Sequence, residues 1–146
     1  MDETLTKPTT AGTGLARAQF TLRILAAVFF VGAGVNHFRN AGFYERIVPP
    51  SFPSPHILVA ISGVAEIVGG FGLLIRPLRR WAGWGLIALL VAVFPANLYM
   101  AMEPDKFADL HLPGWTFLAR LPLQAVIIAW VWFVSLGRAT LGPRSA

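Results

Sequence analysis

The sequence predicts an all-α protein: an antiparallel bundle of four transmembrane helices with both termini in the cytoplasm. Three observations predict it. Hydrophobic residues make up 55% of the 146-residue chain and charged residues 13%, about half the charged share of a soluble protein. The apolar residues gather in four runs, each of about twenty residues, which is the length that crosses a bilayer's hydrocarbon core. The basic residues lie between those runs and not in one patch. The net charge of +5 therefore orients the chain in a lipid bilayer and does not point to a nucleic-acid partner.

The length suggests a single domain. Residues 1–16 read as a disordered N-terminal tail, 17–138 as the membrane domain and 139–146 as a C-terminal tail. The absence of cysteine excludes disulfides, thiolate metal sites and a dithiol relay within this chain. The first apolar run is followed by no small-residue cleavage site and reads as a retained span.

The first span runs from about Ala18 to Phe38, with Gly32, Ala33 and Gly34 letting a neighbouring helix approach closely. Between 39 and 55 the chain carries four prolines and is too polar to cross lipid. Within it, Phe43, Tyr44, Ile47 and Val48 fall on one face of a short helix, which fits either an interfacial helix or an ordinary loop. Ser54-Pro55 is a helix start signal. The second span, His56 to Ile75, has one charge, Glu66, near its middle. Ser62, Glu66 and Gly70 are spaced by four and form one polar, small-residue face. Arg76-Pro-Leu-Arg-Arg80 is a tight basic turn, so the third span, Trp81 to Met102, returns beside the second. Trp81 and Trp84 suit a membrane interface. Pro95 frees the carbonyl of Val91, so the kink should face protein or a cavity. A connector from Glu103 to Ala119 leads to the fourth span, Arg120 to Gly137, with Pro122 in its first turn.

Four spans place Lys7, Arg17, Arg23, Arg76, Arg79, Arg80, Arg138 and Arg144 on one side. Arg39, Arg46, Lys106 and Arg120 lie on the other. An excess of eight over four puts the termini in the cytoplasm and the chain in the cytoplasmic (inner) membrane.

A carboxylate at mid-membrane marks a functional site whose partner has to be found. Counting about 1.5 Å of rise per residue, Glu66, Asn97, Gln124, Arg120 and His37 all lie at or above the midplane, on the side away from the termini. The half nearer the termini holds essentially no polar group. Glu66 is expected to face an outward-opening pocket bounded by His37, Asn97, Gln124 and Arg120, widened by the Pro95 kink. Each residue has a structural alternative. Glu66, Asn97 and Gln124 are also the kind of group that holds helices together, His37 at a span end suits the interface, and Arg120 can snorkel to the headgroups.

The run AGVNHF (33–38), the following Tyr44, and the runs IVPP (47–50), SGVAEIVGGFGLL (62–74), RPLRRWAGWGL (76–86), AVFPANLYMA (92–101) and RLPLQ (120–124) together resemble the DoxX family of small membrane proteins. The resemblance implies a four-helix membrane bundle. It also implies association with quinone or redox chemistry, without a catalytic signature to carry over. Three functions follow as expectations. One is a quinone-binding membrane subunit of a redox complex, with Glu66 handling a proton and His37, Asn97 or Gln124 bonding the quinone head. Another is a non-catalytic accessory or assembly protein. The third is a binder of lipid or a small hydrophobic molecule. The glycine-rich faces also suggest a homodimer.

Overall fold

A computed structural model describes residues 10–137. They form α1 (Thr10–Arg39), α2 (Ala41–Ile47), α3 (Pro55–Leu74), α4 (Arg79–Met102), a 3-10 segment (Pro104–Leu110) and α5 (Trp115–Ser135), with no strand among them. Helices α1, α3, α4 and α5 are each long and apolar enough to cross a membrane. Between 17% and 33% of each apolar stretch is buried inside the protein. The outward remainder is apolar, with Val28, Val68, Val91 and Val126 each more than half exposed. Four such helices suggest a multi-pass membrane protein.

The long helices form a ring. α1 packs chiefly on α3, α3 on α4 and α4 on α5, and α5 closes the ring against α1. Thr10 and Gly137, the outermost described residues, belong to the same end of the bundle as the α3–α4 turn. We call this the termini end and the opposite one the α2 end.

Two apolar clusters fill the interior. Ala26, Phe30, Leu73, Leu86, Leu90, Val131 and Val134 pack toward the termini end. Ile47, Met100, Phe107 and Phe117 pack at the α2 end, with Phe43, Tyr44 and Tyr99 against them. The face of α2 read from the sequence is therefore real, but it seats on the bundle. Together with the 3-10 segment, α2 caps that end. Arg46 clamps Asp109 across the cap through two hydrogen bonds, of 3.0 and 3.1 Å. This contact holds the Asp109 carboxyl below its usual 3.8. Lys106 donates to the Tyr99 hydroxyl at 3.0 Å, and this bond raises its pKa from the usual 10.5.

Several boundaries differ from expectation. α1 begins at Thr10, so residues 10–16 of the expected disordered tail are helical. Residues 1–9 of that tail and the C-terminal tail, 139–146, lie outside the described residues. α5 begins at Trp115, five residues before the expected start. The apolar run WTFLA extends the helix outward, and Pro122 lies in its interior. α3 does start at Pro55, but the Ser54 side chain makes no capping bond.

Several glycines let helices of the chain approach one another closely. A Cβ on Gly34 would lie 2.5 Å from the Gly63 carbonyl, and one on Gly63 would lie 3.0 Å from the Gly34 carbonyl. The backbones of α1 and α3 thus meet at a crossing that only glycine permits. Gly70 lies against Ala27, and Gly83 of α4 lies against Ser135 of α5. Gly32 and Gly85 have nothing within 4 Å of a would-be Cβ and stay open on the outer surface.

The expectation of a polar-free half at the termini end is overturned. Gln19, Arg23 and Ser135 are buried there. Gln19 donates to the carbonyls of Phe133 (2.7 Å) and Gly137 (3.0 Å), and Arg23 Nε donates to Val134 (2.9 Å). The last carbonyls of a helix have no partner of their own, and α1 supplies side chains to those of α5.

Candidate functional site

The glycine crossing brings two titratable side chains together. His37 lies one turn beyond Gly34 on α1, and Glu66 lies three residues beyond Gly63 on α3. A Cβ on Gly63 would come within 2.9 Å of His37 Cβ, and one on Gly34 within 3.1 Å of Glu66 Cβ. Through this approach His37 Nδ1 comes to 3.2 Å from Glu66 Oε2, with the two side chains 11% and 14% exposed.

The same nitrogen lies 3.0 Å from the Ala33 carbonyl, one turn back on its own helix. A carbonyl can only accept, so this contact places the proton on Nδ1. In the neutral ring Nε2 then carries the lone pair. Glu66 Oε2 is close to Nδ1, whose proton is directed to the Ala33 carbonyl, and it is buried without a hydrogen bond of its own. Among the described residues it is the one buried side-chain oxygen or nitrogen left so. Buried acceptors are nearly always satisfied, so an exception calls for an explanation. Neither His37 Nε2 nor Glu66 Oε1 is closed off in this way. The pair can therefore take up a proton at Nε2, with the carboxylate balancing the imidazolium.

Tyr44 of α2 completes the site. Its ring stacks on His37 with centroids 3.8 Å apart and planes 22° from parallel. Its hydroxyl accepts from Asn36 Nδ2 at 2.9 Å, and Asn36 Oδ1 in turn accepts from Asn40 at 2.5 Å. The capping helix thus holds the imidazole in place. From the sequence, Tyr44 reads as part of an apolar face and of the family resemblance, with no contact to His37 foreseen. Its spacing of seven from His37 becomes a stack because the chain turns at Asn40.

The five residues expected to share one pocket fall into separate groups. His37 and Glu66 pair between α1 and α3. Asn97 donates to Gln124 Oε1 at 3.0 Å between α4 and α5, and Gln124 Nε2 donates to the Leu90 carbonyl. No hydrogen bond joins the two groups among the described residues. The acceptor at the Pro95 kink is thus Leu90, one residue before the Val91 carbonyl that proline frees. A groove of about 270 Å³ opens beside it, lined by Val91, Phe94, Leu121, Gln124, Ala125 and Ile128. Its one polar side chain has its amide already engaged. Arg120 is half-buried and joins neither group. His56 and His111 are exposed. Among the described residues no three His, Cys, Asp or Glu side chains cluster as a metal site would need.

The comparisons correct the family expectation. The family model that matches covers residues 25–135 and describes a domain of unknown function, DUF8561. The DoxX resemblance gives way to it. The motifs behind that resemblance are a glycine crossing, a basic hairpin turn and a proline kink, devices open to any bundle of membrane helices. No curated protein and no solved structure matches the chain. With most of its length under that one family model, the chain belongs to the family of the domain of unknown function DUF8561.

Proposed function

We propose that this is a multi-pass membrane protein that holds the polar head of a small hydrophobic molecule at His37 and Glu66 and passes a proton to or from it. The observation that carries this reading is the Glu66 oxygen, buried beside His37 and without a hydrogen bond. A carboxyl serving only to join helices would be expected to find a donor. A quinone is the ligand class that suits the pair, because its ring oxygens accept hydrogen bonds when oxidised and carry protons when reduced. His37 Nε2 would donate to such an oxygen in the imidazolium form and accept from it in the neutral form. On this reading the protein is the quinone-holding subunit of a redox assembly in the inner membrane. Its termini are cytoplasmic and the site lies in the outer half. The excess of basic residues at the termini end supports that orientation.

The test is extraction of the full-length protein from membranes and chromatography of its co-purifying lipids. A stoichiometric quinone is expected from the native protein and not from Glu66→Gln or His37→Ala. Retention of quinone by both variants would remove the site from the reading. A second reading, a non-catalytic assembly protein, is favoured by the Asn97–Gln124–Leu90 contacts, which are satisfied within the protein. It predicts no bound small molecule, and loss of partner recovery when Gln124 is replaced by Leu.

A further inference from the structure

The termini end carries a feature that the site does not use. Arg23 of α1 is nine-tenths buried, yet only its Nε has a protein partner, the Val134 carbonyl at 2.9 Å. Its terminal nitrogens make no hydrogen bond among the described residues, and they are not sealed from the surface. Arg79, the first residue of α4, is anchored in the same manner, with Nε donating to the Leu73 carbonyl at 3.2 Å. The two anchors converge. One turn above Arg79, Gly83 abuts Ser135, the neighbour of Val134. Both guanidiniums therefore sit at the level of the end of α3, Arg79 on the Leu73 carbonyl and Arg23 on that of Val134.

No described carboxylate compensates this charge. Glu45, Glu103, Asp105 and Asp109 all belong to the α2 end, and Glu66 is paired in the bundle. Two guanidiniums fixed through Nε, with their paired terminal nitrogens open, match the geometry that binds phosphate by two parallel hydrogen bonds. The register of α1 on α3 sets the level. Gly70 lies against Ala27, so one turn further Arg23 is level with Leu74 at the end of α3. A span's end is where lipid phosphates lie.

We infer that Arg23 and Arg79 form a binding site for the phosphate of an anionic phospholipid headgroup. The site is independent of the His37–Glu66 pair. Held there, a lipid phosphate bridges both guanidiniums, offsets part of their charge and ties α1, α4 and α5 together at the end where the ring closes.

The experiment uses the full-length protein in nanodiscs of phosphatidylcholine with or without phosphatidylglycerol, read by native mass spectrometry and thermal unfolding. The native protein is expected to retain phosphatidylglycerol selectively and to unfold at a higher temperature in its presence. Arg79→Gln should weaken that retention about fivefold, the worth of one arginine near an anionic surface. Arg23→Lys keeps the charge and removes the fork. It should also weaken retention, and it guards against misfolding of a neutral variant. Arg80→Gln, exposed and without a described partner, should weaken it less than Arg79→Gln. Equal loss in the Arg79 and Arg80 variants would mean diffuse surface charge and overturn the site. Equal stabilisation by inorganic phosphate in phosphatidylcholine discs would assign the arginines to a free anion and overturn the lipid assignment.

Discussion

His37 and Glu66 differ in how well each is satisfied, and replacing them should have opposite consequences. His37 is held on three sides, by the Ala33 carbonyl, the Tyr44 ring and the Glu66 carboxyl. His37→Ala leaves the carboxyl buried with no polar neighbour, a loss of about 1–3 kcal/mol for a stranded group. Glu66→Gln keeps the volume, removes a charge that is costly in an apolar span and adds a donor. The expected order of thermal unfolding in detergent is His37→Ala lowest, with Glu66→Gln level with or above the native protein. Both should lose ligand. A Glu66→Gln protein less stable than His37→Ala would mean that the carboxyl is structural glue. Tyr44→Phe tests the hydroxyl alone, since it keeps the stacked ring and removes only the acceptor of Asn36. Its effect on ligand retention should be small beside that of Tyr44→Ala.

At the scale of elements, the α1–α3 crossing decides whether the site exists. Gly34→Ala sets a methyl group 2.5 Å from a backbone carbonyl that cannot swing away. The helices must part, at about 1–3 kcal/mol for overpacking, and His37 separates from Glu66. Gly32, two residues earlier, has nothing within 4 Å of its would-be Cβ. Gly32→Ala should be neutral or slightly stabilising, because alanine is the better helix former. Ligand retention should follow the first substitution and ignore the second. The cap of α2 and the 3-10 segment has its own pH dependence. Asp109 is depressed by Arg46, so that contribution is complete above pH 3.8 and is lost as acid protonates the carboxyl. Lys106 is raised by Tyr99, so its contribution is present below pH 10.5 and fades above it. Both pairs are exposed, and exposed pairs contribute little to overall stability. The effect should therefore be local. Amide exchange in α2, corrected for intrinsic rate, should rise below pH 4 while the core of α1 stays protected. The variant Asp109→Asn should show the same opening at neutral pH. If α2 is equally protected in that variant, the apolar contacts of Ile47 and Phe43 hold the cap without the ion pair.

At the scale of the whole molecule, the sequence discloses what is local and conceals what closes the ring. Hydropathy gives four spans, and the turn at Arg76–Arg80 makes α3 and α4 neighbours. Both follow from residues close in the chain. The contacts of Gln19 and Arg23 with the end of α5 join residues more than 110 positions apart, and no periodicity reports them. The depth count also needs another origin. It took Ala18 as the start of the first span, whereas the packing of Ala27 on Gly70 and His37 on Gly63 brings Arg23 level with the end of α3. Measured from Arg23, His37 lies about 21 Å up and Glu66 about 12 Å at 1.5 Å per residue, and the close glycine crossing lets their side chains meet. The separation of Asn97 and Gln124 from that pair depends on which way each helix is rotated, which depth alone does not give. The proposed orientation in the membrane again rests on a whole-chain quantity. Eight basic residues stand against four by side, and three of the eight, Arg76, Arg79 and Arg80, sit in the short α3–α4 turn. Short loops weigh most in that balance. A reporter fused after Ala146 should therefore read cytoplasmic in the native protein. Replacing those three arginines with glutamine leaves five against four and should give a mixed population. Replacing Arg39, Arg46 and Arg120 at the other end should leave the reporter cytoplasmic. A native reporter on the far side would invert the protein, placing the His37–Glu66 pair in the cytoplasmic half and the paired arginines at the outer headgroups.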